Sequence, residues 1–152
     1  MSADNPSHTS PLVSVICRTI GRPELQKAIQ SVQAQTYPNI ELLLVDAALQ
    51  QVSTAGIECE PVQMRIVTPE EKLGRSQAAN AGLEAAAGEY LLFLDDDDWI
   101  GNDHIQGLMD FLLPQSEVQA AYSSTQKTDQ LGNATGYVFS QDFDPLLLMR
   151  DN

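Results

Sequence analysis

Two kinds of stretch alternate along this chain: short unbroken apolar runs, and longer runs in which apolar residues return every three or four positions. "LVSVI" (12–16) is the first unbroken run, and its β-branched content predicts a strand buried on both faces. In "GRPELQKAIQSVQAQ", Leu25, Ala28, Ile29 and Val32 fall at i, i+3, i+4 and i+7, one face of a helix. Pro23 suits the first turn of that helix, and "TYPN" breaks it. "IELLLVD" (40–46), "MRIVT" (64–68) and "YLLFLD" (90–95) predict the second, third and fourth strands. Residues 47–63 leave room for a short helix that Gly56 and Pro61 interrupt. "SQAANAGLEAAAG" (76–88) is alanine-rich and predicts a helix with Gly88 at its C-terminal end. "NDHIQGLMDFLLP" (102–114) places Ile105, Leu108, Met109 and Leu112 on one face, with Asn102 or Asp103 as cap. "VQAAYSS" (118–124) predicts a fifth strand, and "GYVFS" (136–140) is a weaker candidate.

The order is β-α-β-(α)-β-α-β-α-β. Such alternation predicts an α/β fold, a mostly parallel sheet with helices on both faces. Ligands of these sheets bind beyond the carboxyl ends of the strands, where strand order reverses.

Length and charge narrow the picture. A chain of 152 residues supports one domain and one sizeable core. Residues 1–10 read as a polar tail and 11–152 as the domain. The chain carries 21 acidic and 8 basic residues, a net charge of −13, which argues against nucleic acid as a partner. An anionic small molecule would need local cations or a metal. Cys17 and Cys59 read as two free thiols, in keeping with a reducing compartment. "MSADNPSHTS" has no secretory signal pattern, and no apolar run is long enough to span a membrane. The expectation is a cytoplasmic protein, with peripheral contact to a membrane left open.

The carboxyl edge of the predicted sheet gathers the chemistry. Arg18, Arg22, Lys72 and Arg75, four of the eight basic residues, lie in its loops. So do Asp46, Glu70, Glu71 and the run Asp95–Asp98. In extended chain Asp95 and Asp97 would share one side, and Asp96 and Asp98 the other. Adjacent carboxylates repel, and a hard divalent cation, Mg²⁺ or Mn²⁺, would offset that cost. The ion would also bridge to a diphosphate. The plainer reading of four aspartates is a solvated acidic loop. The run's position, directly after an apolar strand at the expected binding edge, favours the site.

With those residues in view, "LVSVICRTIGRPELQKAIQSVQAQTYPNIELLLVD" resembles the opening of the family 2 glycosyltransferases. "LGRSQAANAGLEAAAGEYLLFLDDDDWI" resembles their second hallmark, a helix followed by the strand that ends in the DxD motif. The resemblance covers residues 11–124. It implies a GT-A fold, Rossmann-like, with strand order 3-2-1-4. It implies a nucleotide-diphospho-sugar donor, most naturally a UDP-sugar, and inverting transfer to a saccharide or lipid-linked acceptor. By the same resemblance Thr19 would line the base, Asp46 would approach the base edge or ribose, and Arg75 would approach the nucleotide. Asp97 would be the direct metal ligand, Asp95 would contact ribose or metal, and Asp96 would reach the sugar or diphosphate. Asn80 would pack locally.

The sequence also departs from the family. Arg18 stands where many members have Pro, "DAAL" replaces a second carboxylate after Asp46, and Ala79 replaces an Arg before Asn80. No residue matches the family's general base, so the chain reads as the donor-binding half without the acceptor half, either a domain cut from a larger polypeptide or a naturally short relative. Asp144 and Pro145 would begin a helix that is barely started. A non-catalytic nucleotide-sugar-binding module is the alternative. A haloacid-dehalogenase-like phosphatase also places Asp-x-Asp after an apolar strand, but on its first strand, not its fourth. His104 reads as a partly exposed helix residue, and Trp99 as packing against the sheet edge.

Overall fold

A computed structural model describes residues 10–49, 52, 60–129, 131–142 and 144. The polar tail up to residue 9, Cys59, Pro145 and most of the interrupted helix region lie outside the described residues. The chain divides into two compact units, residues 1–107 and 108–152.

The first unit holds β1 (Val13–Thr19), α1 (Leu25–Gln33), β2 (Ile40–Asp46), β3 (Gln63–Val67), α2 (Arg75–Ala85) and β4 (Tyr90–Asp95). The four strands are parallel, in the order β3-β2-β1-β4, as the resemblance implied. The register aligns Val13 with Ile40 and Tyr90, so β1, β2 and β4 finish level.

β1 and β2 are buried along almost their whole length, as their unbroken apolar runs require. Side chains alternate between the two faces. Ile16, Leu43 and Val45 pack with Ala47 and Ala78, beneath α2. Gly82 of α2 permits this approach, because a Cβ there would run into the Ile16 side chain. The crossovers β1-α1-β2 and β3-α2-β4 step across the sheet in opposite directions. Right-handed crossovers therefore put α1 and α2 on opposite faces. The buried stripe Leu25, Ala28, Ile29 and Val32 of α1 is the one its spacing predicted. Fully burying each such large aliphatic side chain contributes about 1.5–3 kcal/mol.

The edge strands are less covered. Leu91 and Phe93 of β4 are each 49% exposed, although the strand reads as apolar throughout. At the opposite end of the sheet, Glu41 is buried and accepts from Ser14 Oγ at 2.5 Å, Ala87 N at 2.7 Å and Arg65 Nη2 at 2.8 Å. Burial alone would raise the Glu41 pKa. These hydrogen bonds and the Arg65 charge outweigh it and hold the carboxyl below its ordinary value.

Several boundaries differ from the sequence expectation. α1 begins at Leu25, so Pro23 precedes the helix instead of forming its first turn. α2 stops at Ala85, and Ala86 is already extended, with φ −67° and ψ 138°. Gly88 is therefore not its cap. It lies against β1, where a Cβ would meet Ser14 N at 2.6 Å.

The helix α3 (His104–Leu112) follows the aspartate run, and its buried residues include Ile105, Met109 and Leu112. Its first turn is anchored to the end of α1, where Gln35 Oε1 accepts the Ile105 N–H at 3.0 Å. In the second unit, residues 118–124 form no strand. β5 (Thr125–Thr128) comes next and pairs antiparallel with β6 (Ala134–Phe139). The turn between them sets this register, since Asp129 Oδ1 accepts the N–H groups of Leu131 at 2.9 Å and Asn133 at 2.8 Å.

Candidate functional site

The level ends of β1 and β4 open a cleft of about 590 Å³ at the carboxyl edge of the sheet. It lies at the reversal point, because α1 and α2 leave on opposite faces there. Ile20, Ala47, Leu73 and Ala78 give it an apolar wall, and Thr19, three arginines and four aspartates supply the rest.

The aspartate run does not stay extended. β4 ends at Asp95, and a turn follows that is closed by Asp98 N–H donating to the Asp95 carbonyl at 3.1 Å. Strict alternation therefore fails. Asp95, Asp97 and Asp98 each bring an oxygen to within 4.8 Å of the others, while Asp96 points elsewhere. Asp98 joins the side that the extended-chain expectation denied it.

Asp96 is buried and fully engaged. Its Oδ2 accepts the Thr19 hydroxyl at 2.8 Å and the Ile20 N–H at 3.2 Å, and its Oδ1 accepts Arg22 Nη1 at 3.1 Å. Arg22 Nη1 also reaches Asp97 Oδ2 at 2.7 Å. Asp95 lies between two guanidiniums, with Arg18 on Oδ1 and Arg75 on Oδ2 at 2.9 Å. Arg18 Nε is buried without a hydrogen-bond partner.

Among the described residues, no ion pair or hydrogen bond reaches the Asp98 carboxylate. Partial burial, and then the charges of Asp97 and Asp95, push its pKa up. With Asp96 counted, four carboxylates face three guanidiniums, so the cleft holds more negative charge than its arginines offset. Its donors are all hard oxygens, the set that Mg²⁺ and Mn²⁺ prefer, so these residues fit a divalent cation.

Neighbouring groups frame the site. Cys17 is a buried free thiol whose pKa is raised to about 12 by burial and then by Asp96. Lys27 Nζ sits 3.0 Å from the centroid of the Trp99 ring, a cation–π contact that holds the indole at the rim. Ile100 N–H donates to Ser31 Oγ at 3.3 Å, which ties the segment after the turn to α1. His104 is half-buried, and burial lowers its pKa despite the opposing charge of Asp103.

Of the residues singled out from sequence, Thr19, Arg75, Asp95, Asp96 and Asp97 meet in this one cleft. Asp46 lies outside its lining. It is buried at the end of β2, beside Thr19 in the register, and accepts the Ala48 N–H at 3.2 Å. Asn80 is exposed on α2. Sequence reading put Arg18, Arg22 and Asp98 at the carboxyl edge of the sheet but gave them no individual roles. Arg18 had left a signal, since it replaces the Pro common in the family.

The sequence profile described as glycosyl transferase family 2 matches residues 14–148. An uncharacterized glycosyltransferase of Haemophilus influenzae is 31% identical over 147 residues, which cover 93% of this chain and 58% of that protein. Glycosyltransferase GlyG of Streptococcus pneumoniae is 31% identical over 142 residues, 88% of this chain and 46% of that protein. The chain thus spans about half the length of these relatives. Among solved structures, S. aureus TarS 1–349 in complex with UDP-GlcNAc shares the fold, with a TM-score of 0.58 at 21% identity over 68% of this chain and 31% of that one. The mannosyltransferase PcManGT of Pyrobaculum calidifontis, in complex with GDP-Man and Mn²⁺, aligns with a TM-score of 0.53 at 26% identity over 60% of this chain and 29% of that one. With the strand order, the aspartate-bearing turn and a profile match across most of its length in agreement, this chain belongs to glycosyl transferase family 2.

Proposed function

We propose that residues 11–152 form the donor-binding part of an inverting glycosyltransferase, and that the cleft between β1 and β4 holds a nucleotide-diphospho-sugar, a UDP-sugar in the first instance. The observation that carries this reading is the run Asp95–Asp98, four carboxylates in the cleft beside only three guanidiniums, those of Arg18, Arg22 and Arg75. Such a rim suits a divalent cation and an anionic ligand together.

Asp97 would hold the metal, with Asp95 and Asp98 completing the carboxylate face. When bound, Mg²⁺ or Mn²⁺ supplies positive charge that stabilises the diphosphate as it leaves. Asp96 works from behind. Locked by Thr19 and Arg22, it fixes the turn that presents Asp97. Thr19 and Asp46 stand at the ends of β1 and β2, where the base and ribose would lie. Arg75 approaches the nucleotide from the start of α2.

The acceptor, a saccharide or a lipid-linked saccharide, and the general base that deprotonates its hydroxyl belong to the remainder of a longer polypeptide. Among the described residues no helix is long and apolar enough to cross a membrane. The free Cys17 thiol accords with a cytoplasmic setting.

Asp97→Asn tests the site. It removes one ligand charge at an exposed position, so metal-dependent UDP binding is lost while the circular dichroism spectrum is retained. Unchanged UDP affinity in calorimetry would remove the metal assignment.

A further inference from the structure

Asp95 is held from both sides by guanidiniums of different kinds. The Arg18 side chain is 19% exposed, stands across from Asp95 in the β1–β4 register and also donates to the Arg75 carbonyl at 3.3 Å. The Arg75 side chain is 78% exposed and extends from the first residue of α2. Arg22 is intermediate, at 43% exposure, and it neutralises the buried Asp96. Removing Arg18 or Arg22 from its carboxylate would strand charge in a desolvated place. Removing Arg75 would not, since water already screens most of its side chain.

We propose that Arg75 is an exchangeable counter-ion. In the ligand-free cleft it neutralises Asp95 Oδ2. It yields that oxygen to an arriving divalent cation and turns its guanidinium to the diphosphate. Four carboxylates face three guanidiniums before binding. A doubly charged cation overcompensates that small deficit, so the most weakly held guanidinium leaves. Its planar fork then suits the diphosphate oxygens, which accept two parallel hydrogen bonds from it. Arg75 thus competes with the metal for Asp95 before it becomes a contact to the ligand. The inference rests on the donor-site reading above.

The test is calorimetric titration of the whole chain, first with MnCl₂ alone and then with UDP at saturating MnCl₂. The proteins are the wild type, Arg75→Gln and, as a control, Lys127→Gln, which removes the same charge from an exposed residue of β5 outside the cleft lining. Arg75→Gln is expected to bind Mn²⁺ alone roughly three- to tenfold more tightly, because its competitor is gone. The same variant should bind UDP at least roughly tenfold more weakly, because the diphosphate loses a charge-assisted partner. Lys127→Gln should leave both within roughly twofold. If Arg75→Gln weakens UDP binding without tightening Mn²⁺, Arg75 is a plain ligand contact and the exchange is overturned. If it weakens both, Arg75 is structural and the exchange is again overturned. Equal tightening of Mn²⁺ by Lys127→Gln would reduce the effect to net charge and would overturn the exchange as well. A wild type that binds neither Mn²⁺ nor UDP would overturn the donor-site reading itself, a result separable from the other three.

Discussion

Thr19, the last residue of β1, donates its hydroxyl to the Asp96 carboxylate at 2.8 Å, although the two lie 77 positions apart in the chain. The same oxygen accepts the Gly21 N–H at 2.9 Å. One hydroxyl therefore joins the β1 loop to the turn after β4, and both partners are buried. Thr19→Val keeps the shape and removes the donor. Asp96 then loses a bond inside a desolvated setting, which costs about 1.5–3 kcal/mol. Urea denaturation should show that loss as a lower midpoint with unchanged slope, and a stability equal to wild type would mean that the bond contributes nothing net.

Glu41 contributes stability that acid removes. Its carboxyl binds a proton more weakly in the folded protein than in the unfolded chain. The stabilisation is thus fully present above the ordinary value of 4.5 and is lost as pH falls through the lower folded value. Glu41→Gln should flatten the acid limb of the stability curve and lower stability near neutral pH. A variant whose loss of stability between pH 5 and pH 3 matches the wild type, on about the same pH scale, would place the acid sensitivity elsewhere.

Gly88 marks a close approach that no side chain fits. A Cβ there would meet Ser14 N at 2.6 Å and the Leu12 carbonyl oxygen at 2.8 Å. Both are backbone atoms of the central strand region and cannot step aside cheaply. Gly88→Ala should cost about 1–3 kcal/mol, read as a fall in thermal midpoint. Gly107→Ala offers the contrast, since a Cβ there meets nothing within 4 Å. Equal midpoints for the two variants would refute the packing argument.

The parts of the fold that were legible in the sequence are those where one local pattern meets one environment. β1 and β2 read correctly because both faces are buried, and α1 because its stripe at 25, 28, 29 and 32 faces the sheet. The end of α2 misled because a distant group decides it. Alanine propensity favours more helix through Ala86 and Ala87, but Glu41, 46 positions away, takes the Ala87 N–H. β5 has the sequence Thr-Gln-Lys-Thr, with no apolar signal at all, and the Asp129 turn sets its register. At the site, residue types were readable and orientations were not. A period of two assumes an extended chain, and the turn after Asp95 breaks that assumption, bringing Asp98 in and sending Asp96 to Thr19. The pairing of Arg18 and Arg22 with the aspartates was not legible, because those partners lie over seventy positions downstream.

The most direct measurement of the central claim is a titration of UDP into the wild-type protein, once with Mn²⁺ and once with EDTA. The cleft between β1 and β4, as a metal–diphosphate site, should bind UDP only in the presence of Mn²⁺. No binding of UDP, GDP or dTDP in either condition would contradict it and leave the four aspartates an acidic turn held by arginines.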